Sequence, residues 1–398
     1  MELTERFLTY VAFPTASDED SAATPSTARQ LKLAAHLADE LKGLGLRVTF
    51  DEAAGCVYGC LPANDGSNAA IGFISHMDTS PSAPGENISP RVFLYEGGDI
   101  ELGHGVTTAE KEFPNLKDYA GKHLIVTDGA TLLGADDKAG VAEIVTMLEY
   151  LVTHPEVKHK TVAVAFTPDE EVGRGTDNFD LTAFAAKEAY TVDGGALGEI
   201  EYECFNAAAA KITVKGVNIH PGSAKNKMKN AALMAAEFVS RMPAAETPAH
   251  TEGYEGFYHL CELKGDEMGA VIKYIIRDHD RARFEARKAF MEETVRYMNT
   301  VTGGCFTLEM KDSYYNMREL IEDGHMDLVE NAKAAMLAHG VTPKIVAIRG
   351  GTDGAMLTYK GLPCPNLSVG GENFHGVHEF ACVEDMEAMV KVLVSLTK

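Results

Sequence analysis

The 398-residue sequence contains no tryptophan, no CxxC pair and no uninterrupted apolar run of the roughly 18 residues needed to span a bilayer. The missing tryptophan excludes nothing about function. The seven cysteines (Cys56, Cys60, Cys204, Cys261, Cys305, Cys364 and Cys382) are odd in number and scattered. That pattern argues against a disulfide framework or a thiolate zinc site and predicts reduced, mostly buried thiols. Positive charge is also scarce: 36 Lys and Arg stand against 59 Asp and Glu, a formal net charge of -23. With no cationic excess to neutralise phosphates, nucleic acid and anionic membranes are excluded as expected partners. The opening stretch MELTERFLTYVAF lacks the basic flank and cleavage pattern of an export signal, so a cytoplasmic location is expected.

What the sequence does contain is an ordinary hydrophobic fraction of 45% spread over more residues than one core usually accommodates, which predicts two domains. From Leu3 to about Leu46 the leucine spacing predicts helices. Apolar runs at Ala70 to Ser75, His123 to Thr127, Thr161 to Thr167 and Ala189 to Val192 then read as strands, with a helix from Lys138 to Val152. The expectation is an α/β fold, a mostly parallel sheet flanked by helices. Near Asn206 the pattern changes to strand, helix, two strands, long helix, strand, a β-α-β-β-α-β order that predicts an inserted ferredoxin-like α+β domain. The predicted division is a discontinuous first domain, 1–206 and 313–398, interrupted by a second at 207–312.

Acidic residues cluster just beyond the apolar strands, where open α/β sheets place their ligands. His76 and Asp78 follow IGFIS and, two apart in an extended segment, face the same way. Asp136 and Asp137 stand in LLGADDKAG, where either could be the ligand and the other the helix cap. Glu170 and Glu171 follow TVAVAFTP, Asp193 follows AYTV, and His375 lies near the far end of the chain. Several carboxylates directed at one rim repel one another unless cations neutralise them. Mixed imidazole and carboxylate donors suit zinc, and also manganese or cobalt. The natural division is His76, Asp136 and Asp193 on one ion, with Asp136, Glu171 and His375 on the other. Glu170 is then left to act as general base toward the attacking water, and Asp78 to accept the second ring N–H of His76. GGTDG and VGG lack the spacing of phosphate-binding loops and read as turns.

The stretches GFISHMDTS, TLLGADDKAG, AFTPDEEVGRG, AYTVDGG, IHPGSAK, TEGYEGFYHL, IIRDHDR, DSYYNMRE, IRGGTDGA and GGENFHGVHEF, in that order over essentially the whole chain, resemble the peptidase T family of aminotripeptidases. This family lies within the dizinc exopeptidases that include carboxypeptidase G and aminoacylase relatives. The resemblance implies a cytoplasmic homodimer with two zinc ions per subunit that releases the N-terminal residue of tripeptides. It implies an inserted lid and dimerisation domain. By motif, His76, Asp136, Asp193, Glu171 and His375 match the zinc ligands, with Asp136 bridging; Glu170 matches the catalytic base and Asp78 the support of the first histidine. It further implies that His220, in NIHPGSAK, stabilises the oxyanion in its own or the partner subunit's site. Arg277 and Arg349 become candidate clamps for the peptide carboxylate, with Asn316 and Tyr315 lining the same cleft.

Overall fold

In the computed structural model, which describes residues 1–398, helices α1 (Leu3–Val11) and α2 (Gln30–Gly43) are separated by an irregular segment. This corrects the expectation of helices throughout 3–46. The intervening residues include Ser, Asp, Thr and Pro, whose side chains and fixed backbone angle favour turns over continued helix. Strands β1 (Arg47–Asp51), β2 (Cys56–Leu61), β3 (Ala70–His76), β4 (Arg91–Leu94), β5 (Ile100–Gly103), β6 (Val106–Thr108) and β7 (His123–Val126) come after them. Next are α3 (Ala135–Thr153), β8 (Thr161–Thr167), α4 (Leu181–Phe184), β9 (Ala189–Gly194) and β10 (Glu199–Glu203). The middle of the chain forms β11 (Asn206–Lys215), α5 (Ala231–Arg241), β12 (Phe257–Gly265), β13 (Gly269–Asp278), α6 (Arg281–Thr302) and β14 (Phe306–Tyr314). It closes with α7 (Arg318–Glu322), α8 (Met326–Ala338), β15 (Lys344–Ala347), α9 (Asp353–Tyr359), β16 (Asn366–Ser368), β17 (Gly371–Glu372), β18 (Phe380–Cys382) and α10 (Val383–Leu396). No helix is long and apolar enough to cross a membrane.

The chain divides into two compact units, one of residues 1–202, 319–346 and 352–398, the other of 203–318 and 347–351. In the first unit an eight-stranded sheet runs in the order β1-β2-β8-β3-β9-β16-β10-β15. It is parallel through β8/β3, β3/β9 and β9/β16, and the Lys344 and Ile348 N–H groups donate to the Gly198 and Glu203 carbonyls as β15 runs alongside β10 in the same direction, while β1/β2, β2/β8 and β16/β10 are antiparallel. The sheet is therefore mixed. One physical reason is local: β1 and β2 are joined by a short turn, which suits an antiparallel pair, whereas parallel neighbours need a long crossover. β7 stands apart from this sheet, in a four-stranded group of order β17-β18-β7-β4.

Helix α3 is apolar on nearly every side and packs against α1, α10, β3 and β9. Ile144, Val145, Leu148 and Leu151 are essentially without exposure, each burial contributing about 1.5–3 kcal/mol. The helix comes so close to the sheet that a Cβ on Gly140 would stand 1.9 Å from the Val192 carbonyl oxygen and 2.6 Å from Ser75 Oγ. Any side chain there pushes the helix off the strands, and with it the loop that begins at Gly134.

In the second unit the sheet order is β12-β13-β11-β14, with antiparallel pairing throughout. Ala208, Ala210, Ile212 and Val214 of β11 are buried while the alternate Ala209, Lys211 and Lys215 are exposed, the two-residue period of a sheet covered on one face. α5 and α6 supply the cover. Asn230 caps the first of these through the Leu233 N–H and Asp280 the second through the Arg283 N–H, at 3.1 and 2.7 Å.

Candidate metal centre

Parallel pairing brings the carboxyl ends of β8, β3 and β9 to one edge of the first unit's sheet. His76 is level with Thr167, and Ile74 with Thr191, so continuing that register by two residues sets Asp193 beside His76. The residues after Thr167 turn back at the same edge, where Asp169 and Gly173 in left-handed conformations bracket a single 3-10 turn, Glu170–Val172. Asp136 and Asp137, joined by a cis peptide bond, have non-helical angles at the start of α3, directly after Gly134 at φ 82°. His375, at φ 65°, projects from the turn between β17 and β18.

These side chains meet. His76 Nε2 lies 2.9 Å from Asp136 Oδ1 and 3.3 Å from Asp193 Oδ1. His375 Nε2 lies 3.0 Å from Asp136 Oδ2 and 3.0 Å from Glu171 Oε2. Each oxygen of Asp136 thus faces a different histidine, with a different second carboxylate beside it. Tetrahedral zinc with bonds near 2.0–2.1 Å places its donor atoms about 3.3 Å apart, close to the spacing here. Donor atoms of His76, Asp136 and Glu171 fall within 4.8 Å of one another, as do those of His76, Asp137 and Asp193.

Charge in this cluster needs compensation. Burial pushes the Glu171 carboxyl up to about 7 and that of Asp193 up to about 6. Burial, and after it the charge of Asp193, raises Glu170 well above the ordinary carboxylate range. Asp136 is held well below it: burial opposes ionisation, but hydrogen bonds with His375 and His76 prevail. His375 is raised to about 11 by those same bonds to Asp136 and Glu171. Glu171 Oε1 and Asp137 Oδ1 are buried without a hydrogen-bond partner. Crowded carboxylates, two imidazoles and unpartnered oxygens fit divalent cations, which take the place of protons in such a set.

Asp78 reaches both His76 and the glutamate turn. The nearest acceptor for His76 Nδ1 is the Asp78 backbone carbonyl at 3.0 Å, with its carboxylate Oδ1 at 3.3 Å. The Asp78 carboxylate also accepts the N–H groups of Glu170 and Glu171, at 3.0 and 3.2 Å. It therefore ties the histidine strand to the glutamate turn. Asp137 is tied to the centre differently, its Oδ2 accepting the His76 N–H at 3.1 Å.

Other supporting residues are not apparent from the sequence. Glu379, buried, accepts N–H groups from Leu133 at 2.7 Å, Gly134 at 2.9 Å and Asp136 at 3.1 Å, and so fixes the loop that presents Asp136. Asn366 Oδ1 accepts the Asp193 N–H at 3.1 Å, while its Nδ2 donates to Glu201 at 2.6 Å. Asp353 accepts a hydrogen bond from Thr167 Oγ1 at 2.9 Å. Position relative to His375 in HGVHEF is the one available signal, for Glu379; main-chain partners leave no mark in a sequence.

His220, Arg277, Asn316 and Arg349 belong to the second unit. His220 is exposed, and its Nδ1 accepts the Gly222 N–H at 3.2 Å. Arg277 Nη1 donates to the carbonyls of Ala208 and Ile276, at 3.2 and 2.9 Å. Arg349 and Asn316 also meet backbone groups. Arg349 donates to the carbonyls of Gly253, Glu255 and Thr251 and to Thr251 Oγ1, at 2.5 to 3.4 Å, and stacks over Phe205. Asn316 accepts the Cys204 and Arg318 N–H groups and donates to the His279 carbonyl, all near 3 Å. These bonds fix both side chains against the backbone of the second unit. Arg349→Ala is expected to cost about 1.5–3 kcal/mol, as for hydrogen bonds to a charged group, seen as a lower melting temperature in calorimetry with an unchanged KM.

The chain is similar to known proteins over its whole length. Residues 202–304 match the peptidase dimerisation domain family. A peptidase T of Caldanaerobacter subterraneus is 52% identical over 402 residues, covering 100% of this chain and 98% of the relative. Among solved structures, the aminopeptidase PepT of Bacillus cereus aligns at 26% identity with a TM-score of 0.78, covering 99% of this chain and 97% of that one. A tripeptidase of Staphylococcus aureus aligns over 100% and 97% with a TM-score of 0.79 and 20% identity.

Proposed function

The chain belongs to the peptidase T family of dizinc exopeptidases, and from that premise we propose how its residues carry out the family's reaction. It is a zinc-dependent aminopeptidase that hydrolyses the N-terminal peptide bond of tripeptides. The observation that carries the residue assignment is Asp136, whose two oxygens face His76 and His375 separately. His76, Asp136 and Asp193 would hold one zinc ion of each subunit, and Asp136, Glu171 and His375 a second. Bound zinc supplies Lewis acidity, lowering the pKa of water and polarising the scissile carbonyl.

The chain's own groups do the rest. Glu170 takes a proton from the attacking water at its carboxylate and delivers it to the departing nitrogen. Burial raises its proton affinity, which suits a group that must hold the proton between those events. Asp78 keeps His76 oriented and the Glu170 turn in place. The assigned catalytic domain is 1–206 with 313–398. The assigned lid and dimerisation domain, 207–312, has the element order and antiparallel β12-β13-β11-β14 sheet of a split βαβ or ferredoxin-like fold. It brings His220 to the developing oxyanion and Arg277 to the peptide carboxylate, in a homodimer.

Chelation is expected to abolish hydrolysis and added zinc to restore it, read by product release from a tripeptide. A panel of di-, tri- and tetrapeptides with free and acetylated amino ends tests the substrate reading. Free tripeptides should be cleaved with at least tenfold higher kcat/KM, and equal turnover of acetylated peptides would sink it.

A further inference from the structure

We propose that Asp169, gripped by Ser26 and Gln30, is a positioning residue that fixes the direction of Glu170; the inference rests on Glu170 being the general base. The Glu170 carboxylate must stay free to receive a proton, and no side chain or backbone group of the protein donates a hydrogen bond to it. Its direction is therefore set by the backbone that carries it. On one side Asp78 holds the N–H groups of Glu170 and Glu171. On the other stands Asp169, 1% exposed and in the left-handed region at φ 60°.

Asp169 is held at every polar atom. Its Oδ1 accepts the Ser26 hydroxyl at 2.5 Å and Gln30 Nε2 at 2.7 Å, and its Oδ2 accepts the Ser26 N–H at 2.7 Å. Its own N–H donates to Gln30 Oε1 at 3.2 Å. Its carbonyl accepts the Arg174 N–H at 2.9 Å, closing the turn that contains both glutamates, and Arg174 Nη2 lies 3.7 Å from Oδ2. Ser26 and Gln30 are themselves buried, and the irregular segment that bears Ser26 is pinned a second time beside Asp78, where the Ser17 N–H donates to the Thr79 carbonyl at 3.2 Å. The segment between α1 and α2 thus braces the base from both flanks, although none of its residues is a ligand. An aspartate held by four neutral groups of Ser26 and Gln30, placed directly before the base, is a device for orientation. Reacting groups misplaced by about 1 Å lose on the order of a hundredfold in rate.

The test uses the zinc-loaded full-length enzyme and a double-mutant cycle. Asp169→Asn is expected to lower kcat about 10- to 100-fold, leaving KM and zinc content within error; its amide, set against buried donors, lowers the melting temperature, so rates are compared well below it. Ser26→Ala, which removes one hydroxyl and is the safer variant to fold, should lower kcat several-fold in the same pattern. In the Glu170→Ala background neither change should reduce the residual rate further, because no base remains to be aimed. Equal fold-losses in both backgrounds, or activity falling only in step with zinc or melting temperature, would overturn the proposal. Wild-type turnover by Glu170→Ala alone would instead overturn the assignment of the base, a separate result.

Discussion

Glu170→Ala is expected to retain its full zinc complement while kcat for tripeptide hydrolysis falls by about three orders of magnitude, in the range for loss of a general base. That loss corresponds to about 4 kcal/mol at roughly 1.36 kcal/mol per decade. Metal should remain because the donor atoms that converge are those of His76, Asp136, Glu171, Asp193 and His375, and the Glu170 side chain contacts none of the imidazoles. Folding should be unaffected as well. The tie between this residue and Asp78 is its main-chain N–H, which alanine keeps. His76→Ala supplies the contrast, since it removes a donor that touches both Asp136 and Asp193 and should lose metal together with activity. Metal analysis beside steady-state rates distinguishes the two; a Glu170→Ala enzyme with more than a tenth of wild-type kcat would remove Glu170 from the role of base.

Why the ligands are legible in the sequence and their supports are not comes down to how each is placed. His76 and Asp193 stand at the carboxyl ends of two apolar strands and Glu171 just past a third, and parallel strands necessarily deliver the residues at their carboxyl ends to one edge. The inserted strand and helix order is equally visible, because β11 and β13 alternate buried and exposed residues and α5 and α6 have clear caps. Glu379 and Asp169 are different. Glu379 takes peptide N–H groups, which every residue but proline possesses, and Asp169 is held by Ser26 and Gln30, 143 and 139 residues earlier in the chain. The segment between α1 and α2 misleads for a related reason: its hydrogen bonds run to Thr79 and Asp169, far along the chain, and local periodicity contains no trace of them. Arg349 has contacts that its motif does not announce. A guanidinium in a glycine-rich loop matches a carboxylate, but it matches three carbonyls and two aromatic faces as well.

The two adjacent aspartates at the start of α3 give the most decisive experiment on the centre itself. Asp136→Ala should strip both zinc ions and reduce hydrolysis to background, because one side chain serves both histidine groups: Oδ1 faces His76 and Oδ2 faces His375. Asp137→Ala should weaken zinc about 10- to 100-fold, the usual effect of losing a group that orients a ligand. Its Oδ2 accepts the His76 N–H, so its loss loosens one ligand without removing a bridge. Direct competition between enzyme and a graded chelator series, with zinc quantified after equilibration, separates a vanished site from a weakened one. Excess zinc should restore activity to Asp137→Ala but not to Asp136→Ala. The reverse result, a rescued Asp136 variant and a metal-free Asp137 variant, would move the bridge by one residue, to the side chain that also converges with His76 and Asp193.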